Sequence, residues 1–255
     1  MTDVDSSARD VGSAARHVAA TVAIGLAYQV VLRQLTSRGR LIGLSLLALV
    51  APLSGWALGS ADASLDDAVN LVASVGLGLV LPIVSLVFGG AALGDLREDK
   101  TLVYLWLRPM DRWPIVVGAA LAAMTLAAPI VLISVVAAAI LTGAGNGIVF
   151  GTLLATVVGL IAYVSVFTMF GVWLKRFIVW GLAYILIWEG FIAQAGAGVA
   201  WVALRKYTRS ILVDRTGADL DLADFGLATG IIVPLAVAVG ALAIAAWRLS
   251  HQDID

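Results

Sequence analysis

The sequence predicts an all-α membrane protein. It would have six transmembrane helices, an interfacial helix ahead of them, and a re-entrant or amphipathic segment between helices 5 and 6. Three observations carry this prediction. Of 255 residues, 61% are hydrophobic and 13% charged, with a mean hydropathy of +1.01, whereas ordinary soluble domains carry about 25% charged residues. Apolar runs near the roughly twenty residues of a spanning helix recur along the chain. Lys and Arg gather in alternate links between those runs, the signature of a fixed orientation.

Met1 to Arg16 is polar, with Asp3, Asp5, Arg9 and Asp10, and lacks the apolar core and small-residue cleavage site of a secretory signal. It reads as a mobile tail (1–16). Val18 to Leu32 is apolar but only about fifteen residues long, and Tyr28, Gln29 and Arg33 interrupt its far end. An interfacial helix within 17–40 is the reading it favours, and an additional span is the alternative. The six-helix domain (41–255) then has spans at about 41–58, 71–93, 113–142, 148–174, 177–196 and 225–247. Pro114 stands at a helix start, where proline is tolerated, and Pro129 inside the same helix, where it bends it. Pro82 and Pro234 fall within spans two and six, as neighbouring helices permit in membranes.

Arg33, Arg38 and Arg40, then Arg97, Lys100, Arg108 and Arg112, then Lys175 and Arg176, then Arg248 collect on one side, while links 59–70 and 143–147 carry no Lys or Arg. Positive residues near span ends are retained inside, which places both termini in the cytoplasm and the chain in the cell (plasma) membrane. Trp113, Trp173, Trp180 and Trp247 fall at the inner helix ends, where an aromatic belt forms. Link 197–224 fits less simply, because Arg205, Lys206, Arg209 and Arg215 would be outside. Its first half, Val199 to Leu212, reads as a segment dipping back into the membrane, with a plain amphipathic surface helix as the alternative.

The most charged stretch, Asp95 to Pro114, separates spans two and three. Leu96, Leu102, Val103, Leu105 and Trp106 are too apolar for a solvated loop, so one face needs a partner. Pro109 removes a backbone donor and biases Arg108 away from helix, so a short helix of about 96–107 should end there. Glu98-Asp99, Thr101-Leu102, Arg108-Pro109 and Arg112, in that order, resemble the loop after the second span in the type 2 family of ABC-transporter permeases. Lys100 stands where that family usually has Gly, which bears on the local turn. The closing Trp247-Arg-Leu-Ser-His-Gln-Asp-Ile is also similar to the family's end, and the resemblance runs loosely from Arg33 onward.

The resemblance implies an elbow helix at the N-terminus and short helices dipping back between spans five and six. It implies that 95–112 is a coupling helix docking on a separate ABC-type ATPase subunit, present in two copies. Arg97, Glu98, Asp99, Leu102, Leu105 and Trp106 are the docking candidates. A second permease subunit, the same chain or a paralogue, would complete the dimer within membrane lipid. No Gly-x-x-x-x-Gly-Lys-Ser/Thr loop and no Gly-Lys dipeptide occurs, so ATP and Mg would sit on the partner. Export of a hydrophobic or amphipathic compound, drug or lipid-like, is the expected task, since apolar helices would line the path.

Glu189 is the one ionisable side chain well inside an expected span. About twelve residues from the inner end, it lies roughly 18 Å deep. A carboxyl there is costly enough to imply a function, either lining the pathway or sealing its outer end, with a cation of 197–224 as partner. A hydrogen-bonded acid at a subunit interface is the alternative. Cys is absent, and the only histidines, His17 and His251, lie one near each end, so a metal cluster or His-based triad is not expected, no cofactor is expected on this chain, and the chain is not expected to be an enzyme. A net charge of −1 gives no footprint for nucleic acid. Two further classes remain: a non-transporting anchor or sensor for an ATPase, and an intramembrane enzyme, for which a lone Glu189 lacks a catalytic partner.

Overall fold

The computed structural model describes residues 20–61, 64–98, 112–190, 203–218 and 225–251. Those residues are all-helical, without strands. The helices are α1 (Ala20–Leu35), α2 (Arg38–Gly59), α3 (Leu65–Arg97), α4 (Trp113–Leu141), α5 (Asn146–Trp173), α6 (Phe177–Glu189), α7 (Leu204–Thr216) and α8 (Leu227–Ser250). Five of them, α2, α3, α4, α5 and α8, are long and apolar enough to cross a membrane. The span expected at 177–196 is represented by α6, about 20 Å long at 1.5 Å per residue against a hydrocarbon core of ~30 Å. Residues 191–202, the N-terminal tail and 99–111 lie outside the described part.

Two starts come earlier in the chain than the apolar runs suggest, and both are explained by caps. Ser37, with extended backbone, accepts the Arg40 N–H at 3.4 Å and opens α2 at Arg38. Ser64 and Asp67 form a reciprocal capping box, each side chain accepting the other's backbone N–H at 3.2 Å. Helix α3 therefore begins at Leu65 rather than 71. Asp66 and Asp67 form its first turn, where carboxylates meet the positive end of the helix. Gly143 and Gly145, at φ +71° and +98°, turn the chain between α4 and α5 in conformations that favour glycine.

Prolines stand inside four of the helices, where they kink the hydrogen-bond ladder, and at Pro52 the released group finds a partner. Pro52 lacks the N–H that would bond the Ala48 carbonyl four residues back, and the Ser134 hydroxyl of α4 donates to that carbonyl instead,. Pro129 faces the same place from α4, leaving an apolar groove of about 440 Å³ between the two bends. In α3 the turns from Val72 to Val80 widen into a π-helix just before Pro82,.

Helix α5 is the centre of the bundle, packed against α3, α4, α7 and α8. It crosses α3 at backbone contact: a methyl group on Gly171 would stand 2.3 Å from the Gly90 carbonyl oxygen. The Phe177 ring lies over Gly90 and Gly94 where Cβ atoms would be. Gly55 and Gly59 likewise lie against the backbone of Ala138 and Leu141. These small-residue spacings thus serve contacts within the chain. Helix α1 buries Ala23, Ala27, Val31 and Leu35, one residue per turn, chiefly against α4. Its Tyr28 hydroxyl donates to Thr125 at 3.3 Å.

Candidate functional site

Two places combine charge with burial, one at an end of the bundle and one in its interior. The first surrounds the roots of the 95–112 stretch. The Arg40 guanidinium of α2 pairs with Asp95 of α3 at 2.8 Å, each side chain about a quarter exposed. Arg97 Nη1 donates to the Val172 carbonyl at 2.8 Å, and Arg112 Nη1 to the Leu249 carbonyl at 2.6 Å. Both carbonyls sit in the last turn of their helices, α5 and α8, where backbone oxygens lack intrahelical donors and the dipole favours a cation. These contacts gather the start of α2, the end of α3, the start of α4 and the ends of α5 and α8 at one end of the bundle. Arg97, Leu174 and Lys175 also line a cavity of about 220 Å³ there. Trp113, Trp173, Trp180 and Trp247 are exposed near this same end.

Of the docking candidates, Arg97 is turned back onto α5. Glu98 closes the helical segment that ends α3. Asp99, Leu102, Leu105 and Trp106, with most of the expected 96–107 helix, lie outside the described residues.

The second place is Glu189, only 2% exposed at the end of α6. The Tyr163 hydroxyl of α5 donates to its Oε2. Tyr184, one turn earlier on α6, and the backbone N–H of Arg205 in the first turn of α7 face the same carboxyl, and Arg205 supplies the positive charge opposite it. Oε1 has no direct hydrogen-bond partner within the chain's described residues. An aromatic wall holds the tyrosines. Tyr163 stacks on Phe167 at 5.9 Å, and Tyr184 meets Phe167 and Phe170 edge to face at 6.2 and 6.0 Å.

Two π-helical segments flank this cluster. One is Tyr184–Glu189 itself; the other contains Gly78, against whose bare backbone the Arg205 guanidinium lies, so that a Cβ would stand 2.9 Å from it. Such wide turns are frequent at functional sites.

Helix α7 is not a one-sided surface helix. Lys206 through Leu212 are all buried, enclosed by α5, α8 and the π segment of α3. It runs antiparallel to α5: Arg215 lies at Gly147 and Gly151, Thr208 at Gly159, and Arg205 at the level of Tyr163 and Glu189. Lys206 Nζ sits 4.8 Å over the Phe225 ring, on which Tyr207 stacks at 5.0 Å. Gly217, at φ +68°, ends the helix and donates its N–H to Val213 O at 2.8 Å, the αL cap.

Sequence reasoning anticipated a cation from 197–224 opposite Glu189, and Arg205 occupies that role. It missed Tyr163 and Tyr184. A single tyrosine in an otherwise apolar span was the only signal, and phenols are common in apolar helices.

Residues 53–178 match the model of a family described as ABC-2 family transporter protein. That interval runs from α2 into the start of α6 and encloses 95–112. No curated protein matches the chain.

Proposed function

The chain is a member of the ABC-2 transporter family by residues 53–178, a family of membrane-spanning transport subunits, and from that premise we propose that it is the permease of an ATP-driven exporter. A separate ATPase subunit, in two copies, docks on 95–112, and a second permease, identical or paralogous, completes the pathway in the plasma membrane. The observation that carries this reading is the convergence at one end of the bundle. Arg40, Arg97, Arg112 and Lys175 surround the roots of 95–112 there, as expected of a cytoplasmic face.

ATP-driven closure of two ATPase subunits would press on Leu102, Leu105 and Trp106 and tilt α3 and α4, which leave the bundle on either side of the stretch. Among the described residues the buried charges are Glu189 and, on α7, Lys206 and Arg209; the buried faces of the other helices carry none, and an apolar or amphipathic cargo suits such a path. The groove between the bends at Pro52 and Pro129 supports the same class.

In the interior of the bundle, Glu189 is the latch of an outer seal. Its carboxyl caps the first turn of α7, a helix whose antiparallel course beside α5, from the level of Tyr163 to that of Gly147, suits the returning limb of a re-entrant segment. Release of the latch would let α7 move away from Tyr163 and open the path outward.

Purification of the native chain from its own membranes tests the reading. An ATPase with a phosphate-binding loop should copurify, with its activity rising when amphipathic compounds are added. A chain that purifies without an ATPase overturns the proposal. Bound ATPase indifferent to every amphipathic compound favours an anchor that transports nothing.

A further inference from the structure

The three contacts around 95–112 do not have equal weight, because the interfaces they bridge differ. Helices α3 and α5 pack along much of their length, so the bond from Arg97 to Val172 reinforces an interface that is already extensive. Helix α8 instead rests mainly on α5 and α7 and touches α4 far less. The bond from Arg112 to Leu249, at 2.6 Å, joins those two at their ends. The first half of α2 scarcely meets the second half of α3, and the Arg40–Asp95 pair spans that gap. Asp95 stands immediately before the 96–107 stretch and Arg112 five residues after it, so a force on it reaches both.

We infer that Arg112 and the Arg40–Asp95 pair are positioning residues for transport, carrying displacement of the docking segment beyond α3 and α4 into α8 and α2. This rests on the docking role proposed above for 95–112. Without these ties a push on the segment would tilt two helices and leave their neighbours behind. With them the inner ends of four helices move as one body. Arg112 is suited to this because a guanidinium bonded to a helix end is a strong, directional, charge-assisted contact. The Arg40–Asp95 pair is only partly exposed, which limits its screening by solvent,.

The chain contains no Cys, so pairs of spin labels can be placed without removing native thiols. Trp113→Cys with Trp247→Cys reports the separation of α4 from α8. Ile42→Cys with Trp173→Cys reports that of α2 from the α3–α5 pair. Ser60→Cys with Leu141→Cys, at the opposite end, is the control. All six positions except Ser60 are exposed apolar side chains, and Ser60 is also exposed.

In the complex with its ATPase, trapping with ATP and vanadate should shift both inner pairs. Arg112→Met should abolish the shift of the first pair, leave the control pair and the bound ATPase unchanged, and be rescued by Arg112→Lys. Before ATP is added, the variant should raise the population with separated inner ends about tenfold, as loss of a hydrogen bond to a charged donor implies. Asp95→Arg should do the same to the second pair, and the swap Arg40→Asp with Asp95→Arg should restore it. Arg97→Met should have a much smaller effect. Variants that follow ATP as the native chain does, with ATPase bound, overturn this inference alone. A native chain that binds no ATPase overturns the docking reading beneath it.

Discussion

Replacing Glu189 by Leu should expose the interior of α7 to protease from the outer side. In the native chain Lys206 and Arg209 are 3% and 8% exposed, whereas Arg215 is exposed on the same helix. Trypsin added outside should therefore cut after Arg215 in native and variant alike, but after Arg205, Lys206 and Arg209 only once α7 comes free. Removing one member of a buried charged cluster costs about 3–5 kcal/mol, because the partners stay behind unpaired. Here those partners are the Tyr163 and Tyr184 hydroxyls and the Arg205 guanidinium. A loss of that size corresponds to a rise of more than about a hundredfold in the opened population, and in cleavage at the three inner sites when opening is rapid.

Glu189→Gln keeps an acceptor for Tyr163 and should raise cleavage far less. The double change Glu189→Leu with Arg205→Leu should be milder than Glu189→Leu alone, since it leaves no buried cation without a counter-charge. Peptide mapping by mass spectrometry reads the sites directly. If Glu189→Leu is cut only after Arg215, the carboxyl does not hold α7 and the outer latch fails.

The second large effect falls on Trp106. A surface patch that binds a partner generally draws most of its energy from a few buried aromatic and arginine anchors, each worth about 2 kcal/mol or more on truncation. Trp106 is the only tryptophan between Glu98 and Arg112. Trp106→Ala should weaken ATPase binding by roughly thirtyfold or more, the equivalent of 2 kcal/mol. It should leave the helices intact, because α3 is capped at Ser64 and both α3 and α4 pack extensively against α5. Titrating purified ATPase against the chain in lipid nanodiscs measures this. Affinity within twofold of native would remove Trp106 from the interface.

Much of the helical layout was legible because apolar runs and turn residues agree. The expected spans 113–142 and 148–174 lie within two residues of α4 and α5, whose junction is marked by Gly143 and Gly145. The start of α3 was misplaced for a specific reason. Ser64-x-x-Asp67 is a readable capping box, but two adjacent aspartates next to an apolar run look like a link when charge is weighed first. The π segments left no trace, since a single widened turn barely alters a helical period. Arg97 was assigned to an outward face by its neighbours in sequence. Its long side chain instead reaches the free carbonyls of α5, an outcome decided by tertiary packing that no local pattern encodes.

The account depends most on 95–112 facing the compartment that holds ATP. A single cysteine at Lys100, in a chain that otherwise has none, can be challenged with a membrane-impermeant maleimide. Lys100→Cys should remain unlabelled in intact cells and react once the membrane is permeabilised or inverted. Labelling in intact cells would place the stretch outside, beyond the reach of any ATPase, and would contradict the account.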